Sequence, residues 1–80
     1  MEYIATFFTH SGAVKYKRYL GNLGVPVELF PVPRRLSSDC GIAAQFCTNL
    51  RLESLITGDV HRLFKVDLAG ERLVYSADNR

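Results

Sequence analysis

Three prolines within nine residues constrain the fold of this chain more than any other sequence feature. Residues 25–33 read VPVELFPVP, an apolar segment typical of an extended strand. Proline has no backbone N–H to donate to a neighbouring strand, so a strand with several prolines is tolerated only at the edge of a sheet. The sequence therefore predicts a β-sheet that has residues 25–33 at one edge.

The rest of the chain alternates between strand and helix signals. Residues 3–8 (YIATFF) are predicted to form a strand, and Thr9 to Gly12 supply the polar side chains that begin a helix over residues 11–23, with Gly24 as its stop. Further strands are predicted over residues 41–47 and 62–68, and a short helix follows Thr48-Asn49 and ends at Gly58. Residues 71–76 are either a fifth short strand or an ordered tail.

The order β-α-β-β-α-β predicts an α+β fold in which two helices cover one face of an antiparallel sheet. A ferredoxin-like arrangement, with the spatial strand order 4-1-3-2, places the proline-bearing second strand at an edge, as its prolines require. Eighty residues allow a single domain. We assign residues 1–76 to this domain and expect residues 77–80 to form a frayed tail.

Composition and charge exclude several classes of protein. The net charge of +2 is small and most arginines are scattered, which does not favour a nucleic-acid partner. No segment approaches the roughly 18 consecutive apolar residues of a membrane span, and the first residues do not resemble a secretion signal. We therefore expect a cytoplasmic protein without a membrane partner. Its two cysteines are expected to be thiols, and no cofactor is implied.

The most informative loop is PRRLSSDCG, which surrounds Cys40 with polar and cationic residues. In the predicted topology, strands one and two run in the same direction. The turn from Thr9 to Ser11 and the start of the first helix should therefore lie close to this loop. Asp59 and His61 are expected at the same end of the sheet. Residues that are distant in sequence are thus predicted to converge around Cys40.

Cysteine reacts as its thiolate, which nearby cations, helix N-termini and backbone N–H groups favour. Cys40 is the predicted reactive residue, and His10 could relay protons to and from it. An adjacent carboxylate, Asp39, opposes the thiolate. The residues assigned to stabilising the thiolate or a bound anion are Arg34, Arg35, Ser37, Ser38, Gly41, Thr9, His10 and Ser11.

The second cysteine, Cys47, ends an apolar strand, and we expect it to be buried and inert. In an extended strand it would lie about 20 Å from Cys40, beyond the roughly 7 Å limit for a disulfide. The sequence has no CxxC or HxxxH spacing, so no metal site is predicted.

Three segments, ATFFTHSGAVKYKRYL, GVPVELFPVPRRLSSDCGIA and FKVDL, resemble the family named "putative selenium/sulfur carrier protein-like". The resemblance covers roughly the first 68 residues, and its most specific part is the proline-arginine turn that leads to Cys40-Gly41. It implies a ferredoxin-like domain whose Cys40 carries sulfur or selenium as a persulfide or perselenide. The partners it implies are a desulfurase-type donor protein and an acceptor enzyme. Such a protein is a carrier and not a turnover enzyme.

Two other classes of function stay open. One is a ferredoxin-like interaction module that pairs with a second copy through its open sheet face, in which case Cys40 is inert and reacts slowly with alkylating reagents. The other is a small anion- or nucleotide-binding regulator that uses Arg34, Arg35 and the His10-Ser11 turn. Phosphate would stabilise such a regulator even in Cys40→Ala. The sequence does not distinguish sulfur from selenium.

Overall fold

Five antiparallel strands and two helices make up the described part of the chain. The computed structural model describes residues 1–36 and 40–78. The elements are β1 (Glu2–Phe7), α1 (His10–Asn22), β2 (Val27–Pro31), a 3₁₀ turn (Arg34–Leu36), β3 (Ile42–Cys47), α2 (Leu52–Leu55), β4 (Val60–Asp67) and β5 (Gly70–Ser76). The strands form one sheet in the order β2-β3-β1-β4-β5, and each neighbouring pair is antiparallel. The predicted α+β class is confirmed.

The sheet has one strand more than the predicted ferredoxin-like arrangement. Strands β1 to β4 lie in the order β2-β3-β1-β4, which is 4-1-3-2 read from the opposite edge, and β5 extends the sheet beyond β4. Residues 71–76, for which the sequence left two alternatives, belong to β5. The second helix is only a single turn, Leu52–Leu55, and ends before the predicted stop at Gly58. It also begins later than predicted, since Thr48 Oγ1 accepts the Leu50 N–H in a separate turn before it.

The predicted edge strand is confirmed, although β2 is shorter than residues 25–33 and contains only Pro31 of the three prolines. The Val32 N–H donates to the Gly41 carbonyl at 3.0 Å, next to the β2–β3 ladder. Backbone groups in an antiparallel pair point alternately toward and away from the partner strand. The nitrogen of Pro31 therefore faces away from β3. Its missing N–H costs no hydrogen bond within the sheet.

Helix α1 begins and ends with the predicted capping residues, one position earlier than expected at each end. Thr9 Oγ1 accepts the Gly12 N–H at 2.9 Å, which satisfies one of the free donors of the first turn. Beyond the last turn, Gly24 takes a left-handed conformation with φ of +82°, which glycine adopts without steric cost. The α1 side chains buried against the sheet include Ala13, Tyr16 and Leu20.

Both faces of the sheet carry buried side chains, which different elements cover. On the helix face, α1 and α2 cover side chains that include Tyr3, Ala5, Phe7, Phe46 and Leu63. On the opposite face, which we call the outer face, Leu36 of the 3₁₀ turn packs against Ile4 and Ala43. The loop that follows β2 therefore folds back over the sheet. This loop covers part of the face that the sequence had left open for a second copy.

Residues 77 and 78 are packed against the sheet, in contrast to the frayed tail predicted from residue 77 onward. The Ala77 N–H donates to the His61 carbonyl at 2.8 Å, and Ala77 is buried. The Asp78 carboxylate accepts hydrogen bonds from His61 and Arg62. Contacts made by β4 thus hold the segment that follows β5. Residues 79 and 80 lie outside the described residues.

Within residues 1–36 and 40–78, no helix has the length and apolar character needed to cross a membrane.

Candidate functional site

Cys40 lies in the loop between β2 and β3, at the end of the sheet where β1 ends and β3 begins. We call this the upper end of the sheet. Val32 and Gly41 close the base of the loop through their backbone hydrogen bond. The Cys40 side chain is partly buried and packs against the core on the helix face, whereas Leu36 packs on the outer face. The loop therefore extends from one face of the sheet to the other.

Two backbone groups of Ile42 hold the sulfur of Cys40. The thiol donates to the Ile42 carbonyl at 3.2 Å, and the Ile42 N–H donates to Sγ at 3.4 Å. When the sulfur loses its proton or bonds to a second chalcogen atom, it keeps the N–H as a donor and gives up the bond to the carbonyl. The start of β3 can therefore orient Sγ in both the resting and the modified state.

Gly41 is needed at its position because of its backbone conformation. Its φ is +74°, in the left-handed region that side chains disfavour, while a Cβ built there would have no neighbour within 4 Å. The residue is exposed. Gly41 thus turns the chain from Cys40 into β3, and its backbone beside the thiol is exposed.

We expect Gly41→Ala to lower the free energy of unfolding by about 1–2 kcal/mol, because alanine must adopt the left-handed conformation. Gly21→Ala is the matched control, since Gly21 lies within α1 with open space around its Cα. That change should stabilise the protein by up to about 1 kcal/mol. Urea unfolding measures both variants, and a Gly41→Ala variant as stable as the wild type would contradict the strain argument.

The start of α1 lies at the upper end of the sheet, and Asp59 lies beside it. A Cβ placed on Gly12 would be 3.3 Å from Asp59 Oδ1 and 3.1 Å from Thr9 Oγ1. Ser11 Oγ is 3.4 Å from Thr9 Oγ1. The predicted proximity of Asp59 to this turn is therefore observed. The Asp59 carboxylate lies near the positive end of the helix dipole and therefore offsets part of its positive potential.

His10 is the first residue of α1, and its side chain is exposed. Arg34 is also exposed, at the start of the 3₁₀ turn. The described residues do not include Ser37, Ser38 and Asp39, to which the sequence assigned effects on the thiol.

Arg35 forms a two-pronged ion pair with Glu71 of β5. Arg35 Nε donates to Oε1 at 2.9 Å and Nη2 donates to Oε2 at 2.8 Å. This pairing lowers the pKa of Glu71 below its ordinary value, chiefly through the hydrogen bonds from the guanidinium, and raises the pKa of Arg35. The sequence assigned Arg35 to the surroundings of the thiolate, but its guanidinium is engaged on another strand.

The position of Glu71 in the sheet shows where the Arg35 side chain ends. Glu71 lies opposite Val66, which lies opposite Glu2, and Glu2 lies opposite Cys47. The ion pair is therefore level with the last residue of β3, whereas Cys40 precedes the first. Five residue steps of strand, about 16 Å, separate Cys47 from Ile42 at the start of β3, and Cys40 lies two residues before Ile42.

His61 also lies at the upper end, where its imidazole is buried by neighbouring side chains. Its Nε2 is 2.9 Å from Asp78 Oδ2, and its ring stacks on that of Phe8 at a centroid distance of 4.6 Å. Arg62 Nη2 donates to the same carboxylate oxygen at 2.9 Å. Hydrogen bonds from His61 and then from Arg62 lower the pKa of Asp78, while partial desolvation opposes them. His61 thus binds the segment after β5 through its backbone carbonyl to Ala77 and through its side chain to Asp78.

The pKa of Asp78 predicts a loss of stability in acid. A carboxyl group whose pKa is lowered by folding stabilises the protein above its unfolded value of 3.8, and this contribution disappears as the pH falls through the folded value. The melting temperature of the wild type should therefore exceed that of Asp78→Asn at pH 7, and the difference should shrink below about pH 4. If the difference in melting temperature between the wild type and Asp78→Asn stays constant from pH 7 to pH 3, this prediction is contradicted.

Cys47 is exposed, contrary to the prediction that it is buried. Side chains alternate between the faces of a strand, so the inward position of Phe46 directs Cys47 away from the helices. Leu36 covers Ile4 and Ala43 on that side, and Cys47 lies at the far end of β3. Both cysteines are thiols.

Among the residues that the structure describes, no three His, Cys, Asp or Glu side chains are grouped so that they could hold a metal ion.

Sequence reasoning found the Cys40 loop and the turn at the start of α1, but it missed Glu71 and Asp78 as partners. Both carboxylates belong to the last part of the chain, and each pairs with a cation that is distant in sequence. The sequence indicated only that acidic residues are present in this segment.

Comparison with known proteins gives one positive result. The model of the family described as "Putative Se/S carrier protein-like" matches residues 2–57. The matched region begins with β1, ends after α2 and includes the Cys40 loop. No curated protein and no solved structure matches the chain.

Proposed function

The chain belongs to the selenium/sulfur carrier protein-like family, and on this premise we propose that Cys40 carries a sulfur or selenium atom from a donor protein to an acceptor. The observation that supports this most is the setting of Cys40 within the matched region. Its sulfur is oriented by Ile42 at the rim of the core, next to an exposed glycine backbone. Binding and presenting one atom requires a fixed thiol that another protein can approach.

The proposed reaction is thiol exchange in two balanced steps. The Cys40 thiolate attacks the terminal sulfur of a persulfide on the donor, R–S–SH, and a new S–S bond forms on Cys40. The S–S bond of the donor breaks, and the donor cysteine leaves as a thiolate with the electron pair. In the second step a nucleophile of the acceptor attacks the same terminal atom, and Cys40 leaves as a thiolate. No external oxidant or reductant is needed, and selenium follows the same course.

The residues around Cys40 would support this exchange in different ways. The Ile42 N–H would remain a hydrogen-bond donor to Sγ in the thiolate and in the persulfide. The exposed Gly41 would admit the backbone of a partner. We propose that Arg34 and the start of α1 favour anionic states of the cargo and that His10 relays protons. Ser37 and Ser38 are proposed to shape the loop.

The proposal includes partners, fold type and location. The donor would be a desulfurase-type protein that forms a persulfide, and the acceptor would be an enzyme that incorporates the chalcogen. We propose a ferredoxin-like arrangement for β1 to β4, with β5 as an additional strand, and a site of action in the reducing cytoplasm, where thiols persist.

The experiment that tests the function is labelled transfer with three forms of the protein. A pyridoxal-phosphate cysteine desulfurase and cysteine labelled in its sulfur supply the cargo, and peptide mass spectrometry locates it. The wild type and Cys47→Ser should acquire one labelled sulfur on Cys40, whereas Cys40→Ser should acquire none. If Cys40→Ser is labelled as well as the wild type, Cys40 is not the carrier residue.

A further inference from the structure

We propose that the exposed face of α1 is a docking surface that binds an acidic surface of the donor protein. The inference rests on the proposed carrier function, because it names the kind of surface that a donor presents to this chain. The face consists of Val14, Lys15, Lys17, Arg18 and Gly21, all of which are exposed. We call it the cationic face of α1.

Helix α1 carries three basic side chains and no acidic one. Its sequence, HSGAVKYKRYLGN, contains Lys15, Lys17 and Arg18 but neither aspartate nor glutamate. Glutamate and lysine three or four residues apart stabilise an exposed helix, whereas Lys15 and Arg18 repel each other at that spacing. Within residues 1–36 and 40–78, no ion pair involves any of the three basic side chains. Their charge is therefore available to a partner.

Val14 gives the cationic face an apolar centre. Residues three and four positions apart are neighbours on a helix, so Lys17 and Arg18 lie beside each other one turn after Val14. Val14 is 44% exposed. Gly21 follows one turn later, and no atom lies within 4 Å of the position that a Cβ would take there. An apolar centre with a polar rim, next to a flat and open surface, suits contact with another protein.

The packing of α1 favours a protein partner over a membrane or a nucleic acid. A helix that binds a membrane inserts its apolar face among the lipids, but Ala13, Tyr16 and Leu20 of α1 are buried against the sheet. Strong binding to a nucleic acid neutralises many phosphates, on the order of six or more, which exceeds the three charges of this face. An acidic protein surface needs only a few opposite charges to be attracted.

The cationic face and Cys40 lie within reach of a single partner. The Cys40 side chain packs on the helix face of the sheet, and α1 packs against β2 and β3, the two strands that the Cys40 loop connects. Helix α1 begins at the upper end, near the level of Cys40, and its 13 residues extend about 20 Å. A typical protein interface covers about 800 Å² on each partner, which is roughly 30 Å across.

Electrostatic attraction is suited to a carrier, which must separate from its donor after each transfer. Charges at the rim of an interface chiefly raise the rate of association, and salt screens them. The cationic face should therefore accelerate the approach of an acidic partner to Cys40 at low salt. It should have little effect on a neutral partner of the same size.

The experiment compares two synthetic peptides as probes in a Cys47→Ser background. Each peptide contains one cysteine as a mixed disulfide with 2-thiopyridine, and several glutamates in one peptide are glutamines in the other. The Cys40 thiolate attacks the peptide sulfur, a protein–peptide disulfide forms, and the thiopyridine leaves with the electron pair. Its absorbance gives the rate. At low salt the acidic peptide should react about threefold to tenfold faster than the neutral one, and this ratio should approach one at about 0.5 M salt.

Two matched double variants show whether the effect belongs to α1. Lys17→Gln with Arg18→Gln should lower the low-salt ratio by about twofold or more, and glutamine keeps the helix propensity of both positions. Lys65→Gln with Arg72→Gln removes the same charge from β4 and β5 and should leave the ratio nearly unchanged. Any change in the pKa of Cys40 affects both peptides equally and cancels in the ratio.

A ratio near one at low salt, an equal loss in the two double variants, or a Cys40 that reacts with neither peptide would each overturn the docking role. The role is also overturned if Lys17→Gln with Arg18→Gln leaves the ratio unchanged but abolishes binding to phosphatidylglycerol vesicles or to a single-stranded oligonucleotide. The peptides carry no transferable sulfur atom. A wild type that fails to accept labelled sulfur would therefore refute the carrier function, whereas the peptide rates test the cationic face separately.

Discussion

Leu36→Ala is expected to lower the free energy of unfolding by about 2–5 kcal/mol, the range for a buried leucine whose removal leaves a cavity. Leu36 is 6% exposed and packs with Ile4 and Ala43 on the outer face, with Phe30 and Val66 nearby. The surrounding side chains belong to four strands of the sheet and cannot easily move together to fill the space. Urea unfolding at neutral pH measures the loss. Leu36→Met, which keeps most of the volume, should cost less than about 1.5 kcal/mol.

Two further leucines show whether the Leu36 effect is specific to the loop. Leu20 is fully buried on the helix face, so Leu20→Ala should cost a similar amount, whereas Leu68→Ala should be close to neutral because Leu68 is fully exposed. Of these three alanine variants, only Leu36→Ala should raise the rate of Cys40 alkylation relative to that of Cys47. If Leu36→Ala lowers the free energy of unfolding by less than about 1 kcal/mol, the packing of the 3₁₀ turn on the outer face contributes little to stability.

Tyr16→Phe is expected to cost about 1–3 kcal/mol, although it removes a single oxygen atom. The Tyr16 hydroxyl is buried and donates to the Leu55 carbonyl at 2.7 Å, which ties α1 to α2. Burial, with a smaller contribution from Tyr19, raises the pKa of Tyr16 above its ordinary value. In Tyr16→Phe the Leu55 carbonyl is left without this donor at a buried position that water does not reach. The aromatic ring keeps its contacts with Phe7 and Phe46.

Tyr19 provides a closely matched control for this prediction. Its hydroxyl donates to the carbonyl of Ser54 at the same distance of 2.7 Å, but this hydrogen bond is exposed. Water can replace the lost donor in Tyr19→Phe, so the loss should be smaller, about 0.5 kcal/mol or less. If Tyr16→Phe and Tyr19→Phe lower the free energy of unfolding equally, burial does not determine how much these two hydrogen bonds contribute.

The features that the sequence predicted well are those decided by neighbouring residues. The proline-rich segment predicted an edge strand, and β2 is at an edge, with Pro31 inside it and the other two prolines outside its bounds. Thr9 and Gly24 marked the two ends of α1 because capping depends on residues within one turn. The polar run before Cys40 and the family resemblance identified the loop that lies within the matched region.

The features that could not be predicted depend on the register between strands and on distant side chains. Whether Arg35 faces Cys40 or Glu71 is decided by where the 3₁₀ turn lies on the outer face, and no local pattern encodes that position. Asp78 looked like part of a frayed tail because its partners, His61 and Arg62, belong to β4. Cys47 follows an apolar run, yet it is exposed because it ends its strand beyond the area that Leu36 covers.

The measurement that tests the central claim most directly follows one labelled sulfur atom onto the protein and off again. The wild type is loaded with a desulfurase and labelled cysteine, separated from both, and then mixed with an equimolar amount of a small acceptor thiol, which takes the outer sulfur and becomes a persulfide. If Cys40 is a carrier, mass spectrometry should first show one labelled sulfur on Cys40. After mixing, the label should appear on the acceptor and Cys40 should again be a thiol. A wild type that remains unlabelled, or a label that stays on Cys40 after mixing, would contradict the carrier function.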